Sequence, residues 1–179
     1  MIRCYITDRR HCSGDLLDRI EACAHEGVEL IQLREKDLSA REMIALARAA
    51  LGRVEGSLTK LLINTRADIA IASGAHGVHL PSGSASVAEW RRLLPHQLIG
   101  VSCHSAADVR TAADADYVLY GPVFETPRKG APVGLDELGA VARLTAVPVL
   151  ALGGITWENA QECIRAGAAG VAGIRLFQR

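Results

Sequence analysis

The sequence predicts an α/β protein of the (β/α)8 barrel class, in compact form, on three observations. Eight short apolar runs alternate with alanine-rich amphipathic stretches, polar side chains gather at the ends of those runs, and the last two runs finish among glycines. Near-continuous apolar strands that alternate with helices imply a parallel sheet covered by helices. Eight repeats favour a closed barrel. A doubly wound open sheet is the alternative, because local patterning does not itself show closure.

In chain order the strand runs are CYIT at Cys4, LIQLR at Leu30, KLLIN at Lys60, GVHL at Gly77, LIGVS at Leu98, YVLYG at Tyr117, VPVLAL at Val147 and GVAGI at Gly170. Helical stretches between them include Asp15 to Glu26, Ala40 to Arg53, Val87 to Leu94 and Asn159 to Ala166. No linker, low-complexity tract or second composition regime interrupts the pattern, so 1–179 is expected to be one domain. Only a few residues follow the eighth run. The outer helix usual at that point in a barrel of roughly 250 residues is therefore expected to be missing or reduced to a turn. Such a barrel would expose apolar surface on strand eight that a second copy could cover, which makes a homo-oligomer a possible partner.

Twenty basic and twenty acidic residues cancel. Bulk charge thus gives no reason to expect a nucleic-acid or membrane surface. No run approaches the roughly 20 apolar residues a membrane span needs, and no charged leader precedes an apolar segment, so a soluble cytoplasmic protein is expected. The five cysteines are an odd, scattered set without a CxxC pair, which argues against structural zinc and a disulfide framework.

A barrel carries its chemistry at the C-terminal ends of its strands, and a ligand phosphate most often sits on the loops after strands seven and eight. There the sequence places Gly153 and Gly154, then Ile174 and Arg175. Glycine lets the backbone approach an anion and offer bare N–H donors. Strand two runs into Gln32, Arg34 and Lys36, whose alternate spacing puts them on one face. Strand three ends in Asn64, strand four in His79, and strand five in Ser102 followed by His104. The loop after strand six carries Glu125, Thr126, Arg128 and Lys129. Several cations converging on one rim complement a phosphate or pyrophosphate.

The segments QLREK, INTR, GVHL, IGVS, DYVLYGPVFETPRK, PVLALGGI and GAAGVAGI, in that order, resemble thiamine phosphate synthase and its relatives, the TenI-type thiazole tautomerases. The resemblance runs from about Tyr5 to Phe177 and implies a barrel that handles thiazole phosphate, a phosphorylated heterocycle. It further implies that Gln32, Arg34 and Lys36 contact a pyrimidine and pyrophosphate, with Asn64, Ser102 and Lys129 on the pyrophosphate side. Thr126 falls on a thiazole-side position. Gly153, Gly154 and the backbone around Ile174 fall on the phosphate cradle.

The departures from the synthase pattern are specific. Its two magnesium-binding aspartates fall on Thr65 and Ser84, and hard Mg²⁺ favours carboxylate oxygen. The LPSGS run around Ser84 resembles the TenI branch, which uses neither metal nor pyrophosphate. Yet that branch's catalytic histidine falls on Pro122, in a GPVF run of the synthase type. His104 and Glu125 are the remaining candidates for proton transfer. Arg175 stands where the synthase pattern has a phosphate-binding serine.

The leading expectation is a TenI-like, metal-independent binder of thiazole phosphate, either a tautomerase or non-catalytic. A divergent thiamine phosphate synthase is the first alternative, and a ligand-sensing protein on a former enzyme barrel is the second. No cofactor is expected, with Mg²⁺ entering only if the chain is a synthase.

Overall fold

The computed structural model describes residues 1–127 and 129–178. Arg128 lies outside the described residues. Eight parallel strands pair in sequence order and close on themselves. They are β1 (Ile2–Ile6), β2 (Leu30–Leu33), β3 (Lys60–Asn64), β4 (Gly77–Leu80), β5 (Leu98–Cys103), β6 (Tyr117–Tyr120), β7 (Val149–Leu152) and β8 (Gly170–Gly173). Closure is made by β8 lying beside β1, from Ile2 opposite Gly170 to Tyr5 opposite Gly173. The open-sheet alternative is thereby excluded.

Among the described residues, seven α-helices connect the strands: α1 (Leu16–His25), α2 (Ala40–Val54), α3 (Ala67–Ser73), α4 (Val87–Leu93), α5 (Ala106–Thr111), α6 (Gly134–Ala142) and α7 (Trp157–Ala166). The sequence states their starts chemically. Ser39 with Glu42, Ser86 with Glu89, Ser105 with Asp108 and Thr156 with Asn159 each form a reciprocal capping box. A side-chain cap of this kind stabilises a helix start by about 1 kcal/mol. In α2 the buried positions Met43, Ala47, Ala50 and Val54 repeat at helical spacing and form the stripe that faces the sheet.

Alternation along each strand divides two apolar cores. Inward-facing Cys4, Ile6, Leu30, Leu62, Tyr117, Leu119, Leu150 and Ala172 fill the barrel. Outward-facing residues such as Tyr5, Ile31, Ile63, Val78, Val118 and Val171 pack under the helices. The lower interior is thus a packed plug rather than a channel.

Among the described residues no helix follows β8, as the sequence predicts, but the expected bare apolar face is absent. Val171 is fully buried, and Leu176 and Phe177 fold back into the space an eighth helix would fill. The Phe177 ring lies 5.6 Å from that of Tyr5 and meets Trp157 edge-on at 5.5 Å. The Gln178 side-chain amide donates to the Asp8 carbonyl and the Tyr5 hydroxyl, and Arg19 Nε donates to the Phe177 carbonyl. One aromatic side chain on a short turn therefore covers what the sequence pattern left open.

Candidate functional site

The inward row at the top of the barrel is polar. Register places Asn64 opposite His79, His79 opposite Gly100 and Gly100 opposite Tyr117, while Ser102 lies two residues further along β5. Gln32 shares the inward face on β2 and is buried, and its side-chain Nε2 has no hydrogen-bond partner among the described residues. A buried amide donor left without a partner carries a free-energy penalty that a ligand acceptor would remove. Asn64 donates from Nδ2 to Thr65 Oγ1 at 3.0 Å, leaving its carbonyl oxygen for the mouth.

Beyond β2 the same alternation carries Arg34 and Lys36 onto the rim. The intervening Glu35 points the other way and fastens the segment to the loop after β1. Its carboxylate accepts from Thr7 Oγ1 at 2.6 Å, from the Arg9 amide at 3.1 Å and from the Arg9 guanidinium at 3.1 Å. Thr7 Oγ1 in turn accepts from the Arg34 amide at 2.9 Å. Arg9 also forks onto Asp37, so the flank of Arg34 is fixed at both ends. Neighbouring Arg34, partial burial and Lys129 together hold the Lys36 ammonium below its ordinary pKa. No salt bridge joins Arg34, Lys36 or Lys129 to a carboxylate among the described residues. Cations gathered on one rim without a carboxylate partner are the arrangement that complements an anion.

Across the mouth, the loop after β6 is stitched to the end of β7. Val123 and Phe124 amides donate to the Leu152 and Gly153 carbonyls at 2.9 and 3.0 Å. Gly153 and Gly154 have φ of 94° and 67°. A Cβ on Gly153 would sit 2.6 Å from Pro122 and 3.2 Å from Thr126 Oγ1, and one on Gly154 would sit 2.6 Å from Phe124 Cβ. These glycines are required by the neighbouring loop as well as by any anion above them. Thr126 donates to the Phe124 carbonyl at 3.0 Å. Glu125, Thr126 and Lys129 line one concavity of about 340 Å³. Ile174 is partly buried against the inner core, and Arg175 beside it is exposed.

His104 is exposed at the end of β5, and its Nδ1 donates to the Gly121 carbonyl at 2.8 Å. With Nδ1 as the donor, Nε2 is the nitrogen left to act as an acceptor. Cys103 faces the helices, and burial pushes its thiol up to about 12, so it makes no nucleophilic pair with His104.

The implied metal does not fit the residues present. Thr65 is exposed, and the Ser84 hydroxyl accepts from the Trp90 indole at 2.9 Å, turned toward α4. Among the described residues no group of three His, Cys, Asp or Glu side chains could hold a metal ion. Thr65 also occupies φ 65°, stretched over a tight turn in which the Arg66 amide donates to the Asn64 carbonyl. That conformation is costly for a β-branched residue.

The structure thus brings Gln32, Arg34, Lys36, Asn64, Ser102, Thr126 and Lys129 to one end of the barrel, with Gly153, Gly154, Ile174, His104 and Glu125 beside them. Sequence reasoning missed the clamp of Thr7, Arg9, Glu35 and Asp37. The alternation in QLREK marks Glu35 as facing away from the mouth, but only the fold supplies its partners.

The family model described as thiamine monophosphate synthase matches residues 3–177. A protein of Geobacter sulfurreducens named "Putative thiamine-phosphate synthase" is 48% identical over 174 residues, covering 93% of this chain and 82% of its own. The thiamine-phosphate synthase of Roseiflexus sp. is 41% identical over 175 residues, covering 93% and 74%. Among solved structures, the thiamine phosphate pyrophosphorylase of Pyrococcus furiosus superposes with a TM-score of 0.87 at 28% identity, covering 97% of this chain and 85% of that one. With this architecture, this rim and these relatives, the chain belongs to the thiamine monophosphate synthase family.

Proposed function

We propose that this barrel is a divergent thiamine phosphate synthase, joining a phosphorylated thiazole to a pyrimidine that carries a pyrophosphate leaving group. The observation that carries this reading is the uncompensated cluster of Arg34, Lys36 and Lys129 on one rim. A single thiazole phosphate on the glycine side would not call for it. Pyrophosphate departs with a growing negative charge, and preorganised cations stabilise that charge as it forms. In this reading Gln32 and Asn64 orient the pyrimidine and its pyrophosphate, Ser102 donates to the leaving group, and Thr126 meets the thiazole. Gly153, Gly154 and the Ile174 backbone hold the thiazole phosphate, with Arg175 as an added cation. The relatives' names support the same reaction. Mg²⁺ would neutralise pyrophosphate if it bound, but Thr65 and Ser84 do not supply the ligands it favours.

A second reading is favoured by those same two positions: a TenI-like, metal-independent protein in which His104 Nε2 or Glu125 moves a proton on a thiazole carboxylate phosphate. Thiamine phosphate formation from both substrates, with and without Mg²⁺, decides between them. Turnover that falls at least tenfold in Lys129→Ala is the expected result. Tight thiazole phosphate binding with no condensation at saturating substrates, even with Mg²⁺, would instead favour the second reading. The five free cysteines and the absence of any described helix long and apolar enough to cross a membrane support a cytoplasmic setting. Self-association is left as a proposal for light scattering, since the buried Phe177 removes the apolar face that suggested it.

A further inference from the structure

Tyr117, on β6, reaches across β5 to a histidine on β4. The crossing is possible because Gly100, which lies between them in register, has no side chain. A Cβ there would sit 2.2 Å from Tyr117 Cζ. The Tyr117 hydroxyl comes to rest 3.0 Å from His79 Nδ1, and His79 Nε2 lies 2.9 Å from Ser102 Oγ.

Counting hydrogens along this chain gives one arrangement that satisfies every group. The Tyr117 hydroxyl is buried, and His79 Nδ1 is its partner among the described residues. Its hydrogen must go to Nδ1, because a buried O–H without an acceptor is disfavoured. Nδ1 is then an acceptor, so the neutral ring carries its hydrogen on Nε2 and donates to Ser102 Oγ. Ser102 has one hydrogen of its own and now receives one on a lone pair. That hydrogen is free to leave the ring's side, and half-buried Ser102 opens toward the barrel mouth.

We propose that Tyr117 and His79 form a fixed relay that makes Ser102 an obligate hydrogen-bond donor to a phosphate or pyrophosphate oxygen at the mouth. Tyr117 and His79 are positioning residues, and Ser102 is the group that touches the ligand. The target anion rests on the functional reading above, whereas the tautomer of His79 does not. Burial keeps His79 neutral, with its pKa lowered to about 3, so the donor direction holds across the ordinary pH range.

Two measurements test the relay. Nitrogen-15 NMR of the His79 ring in the unmodified protein is expected to show Nε2–H with an unprotonated Nδ1, unchanged between pH 5 and 8. An Nδ1–H ring, or a protonated one, would overturn the relay without touching the functional reading. Calorimetry with inorganic pyrophosphate then compares wild type, Tyr117→Phe, Ser102→Ala and the double variant. Tyr117→Phe keeps the ring in the Gly100 gap, and its thermal midpoint serves as the folding control. Expected losses are about fivefold for Tyr117→Phe and about tenfold for Ser102→Ala, the scale of one hydrogen bond. The double variant should lose no more than Ser102→Ala alone, because residues acting through one another are not additive. Multiplying losses, or unchanged affinity in Tyr117→Phe, would overturn the relay. Absence of pyrophosphate binding by wild type, with the Nε2–H tautomer intact, would overturn the anion target and the synthase reading together.

Discussion

From β2 to β5 the barrel mouth is lined by side chains, two of them on backbone or hydroxyls held by partners from a neighbouring strand or loop. From β6 to β8 it is made mostly of backbone, with Gly153 and Gly154 folded under Phe124 and Thr126. The first arc holds Arg34 through the clamp of Thr7, Arg9 and Glu35, and Ser102 through His79 and Tyr117. The second offers amides, whose positions are fixed by φ and by the loop above. Side chains can deliver whole charges but must be restrained, because long flexible cations lose entropy when they bind. Backbone amides are restrained already and deliver only partial charge. A barrel that meets two phosphorylated groups can therefore use charge on one side and preorganised amides on the other.

The comparison breaks most visibly with acid. The folded His79 ring stays neutral to about pH 3, while an unfolded histidine titrates near 6.5. Below 6.5 the unfolded chain takes up a proton the folded one refuses, so stability falls as pH falls through that window. The steepest loss is about 1.4 kcal/mol per pH unit, and the total is on the order of 5 kcal/mol. Urea denaturation between pH 4 and 7 should show a shallower acid slope in His79→Gln than in wild type. Half-buried His76 shifts in the same direction but is present in both proteins.

Next in size is Glu35→Ala, which strands Thr7 and Arg9 at the first arc. It should cost about 2–3 kcal/mol in urea denaturation. It should also weaken pyrophosphate binding while sparing thiazole phosphate. Gly154→Ala forces a left-handed conformation and a Cβ onto Phe124. Its cost is about 2 kcal/mol, and the ligand pattern should invert, with thiazole phosphate lost and pyrophosphate spared. If both variants lower both affinities equally, the two arcs are not separate recognition surfaces. The smallest effect is a gain: Thr65→Gly relieves the positive φ and should stabilise the protein by about 1 kcal/mol in thermal melts.

The parts of the site that were legible in the sequence lie on single strands. The spacing of Gln32, Arg34 and Lys36 already put them on one face, and the glycines after β7 already suggested close backbone approach. Glu35 was unreadable as a clamp because its partners Thr7 and Arg9 come from 28 and 26 residues earlier. Ser84, which sequence position sets in the loop above the mouth, is captured by Trp90 six residues later, on α4. The short helices α3 and α5 span fewer than three turns each, too little for periodicity to mark their ends. Phe177 gave no signal as the cover of β8, since a lone aromatic near a glycine run has no period at all.

By itself the sequence determined the alternation of strand and helix, the two faces of each strand and the gathering of cations and glycines at strand ends. All of these are properties of neighbouring residues, set by a period of two or of 3.6. Only the tertiary structure decided that the sheet closes, that Phe177 packs against Tyr5, that Glu35 anchors the Arg34 segment, and that Tyr117 meets His79. Those depend on the register between strands far apart in the chain, where Gly100 leaves the gap through which a tyrosine on one strand reaches a histidine on another.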